Sequence, residues 1–281
     1  MIISVLSNVL NDAFIKTSYA FLPLKPLAIM KKFVKLTMLL LFVTSMAYSQ
    51  KVALVTFYVD KYIDYSKATA ETRANYQERT LADDPNFDLR PILEDFYKTF
   101  KKDFVKDFPF DIIDEKHIIE TDQYKAYSGL EGLEDTDSID IYEENIRDRF
   151  IAIDGYNVLL SGGNMLRSWR TEAHLLKMFP EADGVMFVYI HYQFEPKIAI
   201  GGMGNAGMRA FINIDLFNKE AKKVFKMEEF ATSKKSVPLI NGVPIMTSEK
   251  ILPLCENATE RLLEDLKKEL PKLVKKVDKK F

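Results

Sequence analysis

Asp183-Gly184-Val185-Met186-Phe187-Val188-Tyr189-Ile190-His191-Tyr192-Gln193-Phe194 is a turn that opens a long strand. Its even positions, Met186, Val188, Ile190, Tyr192 and Phe194, are apolar or aromatic. The odd positions drift from apolar towards the polar pair His191 and Gln193. A period of two over this length places one face of a strand in a core. Further on, Ala210, Ile212, Ile214 and Leu216 alternate with Arg209, Asn213 and Asp215. That pattern predicts a half-buried antiparallel partner. Asn218-Lys219-Glu220 then turns the chain into a third strand, Val224 to Ala231. Three such strands in succession make an antiparallel meander.

The link between the first two strands is Gly202-Met203-Gly204-Asn205-Ala206-Gly207, a match to G-x-G-x-x-G. A dinucleotide site needs a helix after that motif, so that the pyrophosphate meets a helix N-terminus. Here a period-two strand follows. The segment from Gly201 to Gly207 therefore reads as a loop in a hairpin, with no dinucleotide and no cofactor implied. Gly202, Gly204, Asn205 and Gly207 remain the candidates for contact with a ligand or partner, through exposed backbone.

Upstream of the meander, Gly155-Tyr156-Asn157-Val158-Leu159-Leu160 reads as a strand ending at Gly162-Gly163. Asn164 caps a helix that buries Met165, Trp169, Ala173 and Leu176. Earlier still, Lys51 to Val59 is nearly all apolar or β-branched, the mark of a strand covered on both faces. Residues 60–86 read as a surface loop with some helix. Asp88 caps a helix carrying Ile92, Leu93, Phe96, Tyr97, Phe100 and Phe104 at helical spacing, with Pro91 in its first turn. Phe110-Asp111-Ile112-Ile113 is a short strand. Residues 115–150 are acidic and weakly periodic, a solvated loop with short helices. Their carboxylates lack the regular spacing of a calcium loop.

After the meander, residues 233–248 read as a loop containing Pro238, Asn241-Gly242 and Pro244. A C-terminal helix begins near Ser248, with one stripe of Ile251, Leu254, Cys255, Ala258, Leu262, Leu266 and Leu270. Pro271 is expected to kink or interrupt it, because proline removes a backbone bond and clashes with the preceding turn. The lysine-rich tail beyond reads as a solvated helix end. Its alternative role is weak contact with an anionic surface or acidic partner. The expected class is α/β (α+β): a mixed sheet with a C-terminal antiparallel meander, helices mainly on one face, and a long C-terminal helix.

The N-terminal segment supplies an address. Met30-Lys31-Lys32 is a basic lead, Met38-Leu39-Leu40-Leu41-Phe42-Val43 lies in a short apolar run, and Ala47-Tyr48-Ser49 precedes Gln50. This is the plan of a secretory signal peptide over residues 30–49, too short to span a bilayer. Cleavage after Ser49 leaves a chain starting at Gln50, periplasmic or extracellular. No cysteine follows the cleavage site, so no residue there can take a lipid. Residues 1–29 read as an upstream start artefact, or else as an N-terminal anchor.

Residues 50–281 are long enough for one α/β domain with a substantial core. Residues 1–49 hold five basic side chains and one acid, so their removal takes the formal charge from −2 to −6. An acidic chain is a poor general binder of nucleic acid, whose phosphates need clustered Lys and Arg. The single cysteine, Cys255, forms no intramolecular disulfide and reads as a small buried hydrophobe. His117, His174 and His191 lie far apart, without H-E-x-x-H or paired cysteines, so no metal site is assigned. Neither Ser161-Gly162-Gly163 nor Ser168-Trp169-Arg170 is a G-x-S-x-G elbow, and no catalytic residue is assigned.

The order is strand, helix, short strand, the Gly155-Tyr156-Asn157-Val158-Leu159 strand, helix, meander from Asp183-Gly184-Val185-Met186-Phe187-Val188 through Asn218-Lys219-Glu220, and long helix. It resembles exported envelope proteins with a TolB-N-terminal or CsgG-like α/β fold. The resemblance implies assembly or accessory work in the envelope, with an envelope protein or small ligand as partner. Members are typically lipoproteins. This chain departs from them in lacking a lipidated cysteine and in having Ala221 where such a hairpin usually has glycine. The resemblance supplies no catalytic residues. The alternative function is an exported hydrolase with a triad or metal site assembled from distant residues.

Overall fold

The structure, a computed structural model, describes residues 50–67, 81, 84–129, 148–161, 171–200, 203–240, 243–244 and 247–277. They belong to one compact unit, Ser49–Phe281. The expectations for residues 1–49, the acidic cluster at 131–140, Gly162-Gly163 to Trp169, Gly202 and Asn241-Gly242 lie outside the described residues.

In chain order, β1 is Lys51–Asp64, α1 Arg90–Thr99, β2 Asp111–Ile112, α2 Lys116–Ile119, α3 Asp122–Lys125 and β3 Phe150–Ala152. Then come α4 Thr171–Met178, β4 Gly184–Ile200, β5 Met203–Asn218, β6 Lys223–Thr232, β7 Val237–Ile240, β8 Val243–Pro244 and α5 Ser248–Val277. Eight strands form one mixed sheet in the order β2-β1-β4-β5-β7-β8, with β3 also on β1 and β6 also on β5. β1 runs parallel to β2 and β4, whereas β4, β5 and β6 are the expected meander. The expected class is therefore the observed one.

Side-chain alternation sorts the sheet into two faces. Phe57, Val188, Ile214 and Met227 are cross-strand neighbours on one of them. There Phe57 meets Phe96, Tyr97 and Phe100 from α1 and the π-helical turn that continues it. On the same face the Tyr192 hydroxyl lies 2.8 Å from the Thr259 hydroxyl of α5. All seven residues of the α5 stripe are buried. The two longest described helices thus cover this face. The other face carries the row Tyr58, Tyr189, Asn213 and Glu228.

Four expectations need correction. Residues 155–160 form no strand; the strand here is β3, a few residues earlier. Gly155 has φ 87°, and a Cβ there would come within 2.8 Å of Ile119 Cδ1. The backbone after it finds side-chain partners rather than a ladder. Asn157 N donates to the Tyr124 hydroxyl and Leu159 N to Thr56 Oγ1, while Thr56 Oγ1 donates to Asn157 O. Second, the glycine-rich loop is shorter than expected. β4 and β5 pair up to Ile200↔Met203, so Gly204, Asn205 and Gly207 lie in strand β5. Gly207 fits because a Cβ would sit 2.7 Å from Lys197 Cε and 2.9 Å from Ser233 Oγ.

Third, residues 233–248 are not all loop, since β7 pairs with β5 and with β8. Fourth, Pro271 does not interrupt α5, which continues to Val277 with Pro253 also inside it. β1 and β4 both extend beyond the expected ends. The turn into β6 has Ala221 at φ 55°, a left-handed conformation that costs an L-residue roughly 1–2 kcal/mol.

Candidate functional site

The face turned away from α1 and α5 carries an aromatic row that crosses four strands. Tyr58 of β1 stacks on Tyr189 of β4 at 5.4 Å and 8°. Tyr189 is followed by His191 at 6.0 Å, and His191 lies on Phe211 of β5 at 4.6 Å and 2°. Phe230 of β6 closes the row 5.5 Å from Phe211. Such ladders form because neighbours across a sheet have Cβ atoms only about 5 Å apart. Tyr58 is buried, Tyr189, His191 and Phe211 are half-buried, and Phe230 is 51% exposed.

Charged groups frame the row. The Arg209 guanidinium stands 4.6 Å from the Phe230 ring and pairs with Glu195 at 2.8 Å. At the other end, Arg149 binds both oxygens of Asp60 and lies 5.0 Å from the Phe150 ring, which packs edge-on against Tyr58. Asp215 lies beyond Tyr189 on this face. One of its oxygens accepts from Ser161 at 2.7 Å and Lys223 at 2.8 Å, while Oδ1 is buried without a hydrogen-bond partner. A buried carboxylate oxygen left unpaired is costly, so this corner of the face is held at an energetic penalty.

His191 is the titratable centre of the row. The Asn213 amide is 3.3 Å from its Nδ1. Burial pulls its pKa below the usual 6.5, against the opposing pull of Asp60, Glu228 and Asp64; Arg149 adds to the lowering. As the pH falls, the unfolded chain takes up this proton before the folded one. The contribution of His191 is therefore whole above about pH 6.5 and is lost as the pH falls through the folded pKa. The thermal midpoint should decline more steeply below about pH 6.5 in the parent than in His191→Phe. Equal slopes would show that His191 keeps an ordinary pKa.

The other singled-out residues are scattered. His117 of α2 is exposed on a cavity of about 530 Å³ lined by Lys51, Asp111, Ile112, Ile113, Asp114 and Glu181. His174 of α4 stacks on Tyr127 at 4.8 Å. No three described His, Cys, Asp or Glu side chains converge to hold a metal ion. Cys255 is buried in α5, and burial pushes its thiol pKa up, away from reactivity. Gly204 pairs with Ala199 on one side and Leu239 on the other, so the ladder takes up backbone there. Gly207 is buried, and Asn205 is exposed. The aromatic row is not among the residues singled out by motif or spacing. Its signal was Phe211 and Phe230 standing in the polar register of their strands.

No family model and no curated protein matches this chain. Among solved structures, a "putative neuraminyllactose-binding hemagglutinin homolog" from Helicobacter pylori is similar at 8% identity and TM-score 0.33, over 82% of this chain and 91% of that one. A hypothetical protein from Chlamydia trachomatis is similar at 8% identity and TM-score 0.34, over 81% and 98%. Likeness at this level assigns neither family nor function.

Proposed function

We propose that the protein is an exported, non-catalytic binding or accessory factor of the cell envelope, released by cleavage after Ser49, and that it binds through the aromatic face of its sheet. The observation that carries this reading is the row ending in Phe230, half exposed and flanked by Arg209. Aromatic and arginine side chains are enriched where proteins bury surface against partners. The resemblance to envelope assembly factors points to the same role. No described helix is long and apolar enough to cross a membrane.

A photo-crosslinking amino acid at position 230, or at exposed Lys268 of α5 as a control, tests the reading in cells. The expected result is a discrete adduct from position 230 alone, on exported protein whose first residue is Gln50. Full-length protein in the cytosol, or equal labelling from both positions, would overturn it. Turnover of an ester or peptide that Ser161→Ala abolishes would establish the hydrolase alternative instead.

A further inference from the structure

The β4–β5 hairpin exposes apolar side chains where two strands end. Ile200 is 80% exposed and its register partner Met203 is 68% exposed. They are the two most exposed large hydrophobic residues among those described. Two such residues side by side on a hairpin end form a small apolar wedge.

The charge around the wedge is one-sided. Residues 196–208 contain Lys197 and no acid, and residues 230–248 contain Lys234 and Lys235 and no acid. The two segments meet, because β7 pairs with Gly204, Asn205 and Ala206 of β5. The Lys197 ammonium donates to the carbonyls of Lys234 and Lys235, both at 2.9 Å, which gathers all three lysines. Arg261 is close enough to reinforce the lowering of the Lys197 pKa that burial begins. The nearest acid before Lys197 in β4, Glu195, is occupied by Arg209 and Lys67. Glu260 of α5 accepts from the Asn257 amide. Among the described residues, this end of the sheet is apolar at its tip, with Lys197, Lys234 and Lys235 behind it and Glu260 on the α5 side.

From this juxtaposition we propose that the hairpin end inserts shallowly into an anionic lipid surface. Ile200 and Met203 enter the boundary between headgroups and acyl chains, and Lys197, Lys234 and Lys235 meet lipid phosphates. A strand rises about 3.3 Å per residue, so Lys197 stands roughly 10 Å behind Ile200. That matches the roughly 5–10 Å burial of interfacial apolar groups. The inference is independent of the aromatic face, which lies on the flat of the sheet rather than at this end.

Cys255 is buried, so a thiol introduced at the tip can be labelled selectively in the full chain. Met203→Cys carrying an environment-sensitive fluorophore is mixed with vesicles of phosphatidylcholine, with or without phosphatidylglycerol. The expected result is a blue shift with phosphatidylglycerol, quenched by brominated acyl chains, and a much smaller shift without it. Each lysine near an anionic surface is worth about five-fold in partitioning, so Lys234→Gln with Lys235→Gln should weaken it roughly thirty-fold. The same label on Lys268→Cys should not be quenched by brominated chains. An unshifted tip label, an equal shift without phosphatidylglycerol, or a shift that tracks protein concentration without vesicles would overturn the proposal. The last outcome would mean that the tip pairs with a second copy. None of these outcomes depends on crosslinking at position 230.

Discussion

Leu262→Ala should lower the thermal midpoint on the order of 10 °C, as about 2–5 kcal/mol is lost from a chain of this length. Leu262 has no exposed surface and lies in the middle of the buried stripe of α5. That stripe closes the helical face of the sheet, where Ala258 and Leu266 are its neighbours one turn away on either side. Truncation there removes apolar contact and leaves a cavity that rigid β-strands cannot collapse to fill. Native stability is only about 5–15 kcal/mol, so this one change is a large part of it. Deleting Lys272 to Phe281 should barely move the midpoint, because five of those ten residues are lysine and the seven buried stripe residues all lie before them. Calorimetry of both variants decides the matter. Unfolding by the deletion and tolerance of Leu262→Ala would assign the core to the wrong half of the helix.

Tyr124→Phe should cost about 2–4 kcal/mol, although it removes one oxygen atom. The Tyr124 ring is fully buried, and its hydroxyl serves two backbone groups at once. It donates to Val55 O at 2.7 Å and accepts from Asn157 N at 2.9 Å. Val55 is the residue that the β1–β4 register skips, between Leu54 and Thr56. Without the hydroxyl, the buried Val55 carbonyl and the half-buried Asn157 amide lose a shared partner together. Denaturant unfolding should show the loss, and the Asn157 amide should exchange its hydrogen faster. A change below about 0.5 kcal/mol would mean that other groups or water serve both atoms.

The same tyrosine explains where sequence reading failed. The meander and α5 were legible because their apolar residues recur at a fixed period along one element. Residues 155–160 look like a strand by composition, but their partners are the Tyr124 and Thr56 hydroxyls, and no local pattern reveals a hydroxyl arriving from elsewhere. β7 and β8 were hidden by Pro238 and Pro244, which suit the margin of a sheet as well as they suit a loop. The aromatic row was hidden for a different reason. It contributes only one or two residues per strand and becomes a row only once four strands are in register.

The placement of β1 bears on how the chain becomes folded. Lys51 N donates to an Asp183 carboxylate 132 residues later, and β1 pairs with β4 along most of its length. A chain made from its N-terminus must therefore hold one edge of this apolar strand, the edge that β4 takes, unpaired until residues near 190 have emerged. Such long-range pairing slows folding and exposes a sticky edge in the interval. A chain kept open in this way can still be threaded through a narrow channel. By the same delay it becomes a client for any chaperone that recognises bare Val52 to Val59.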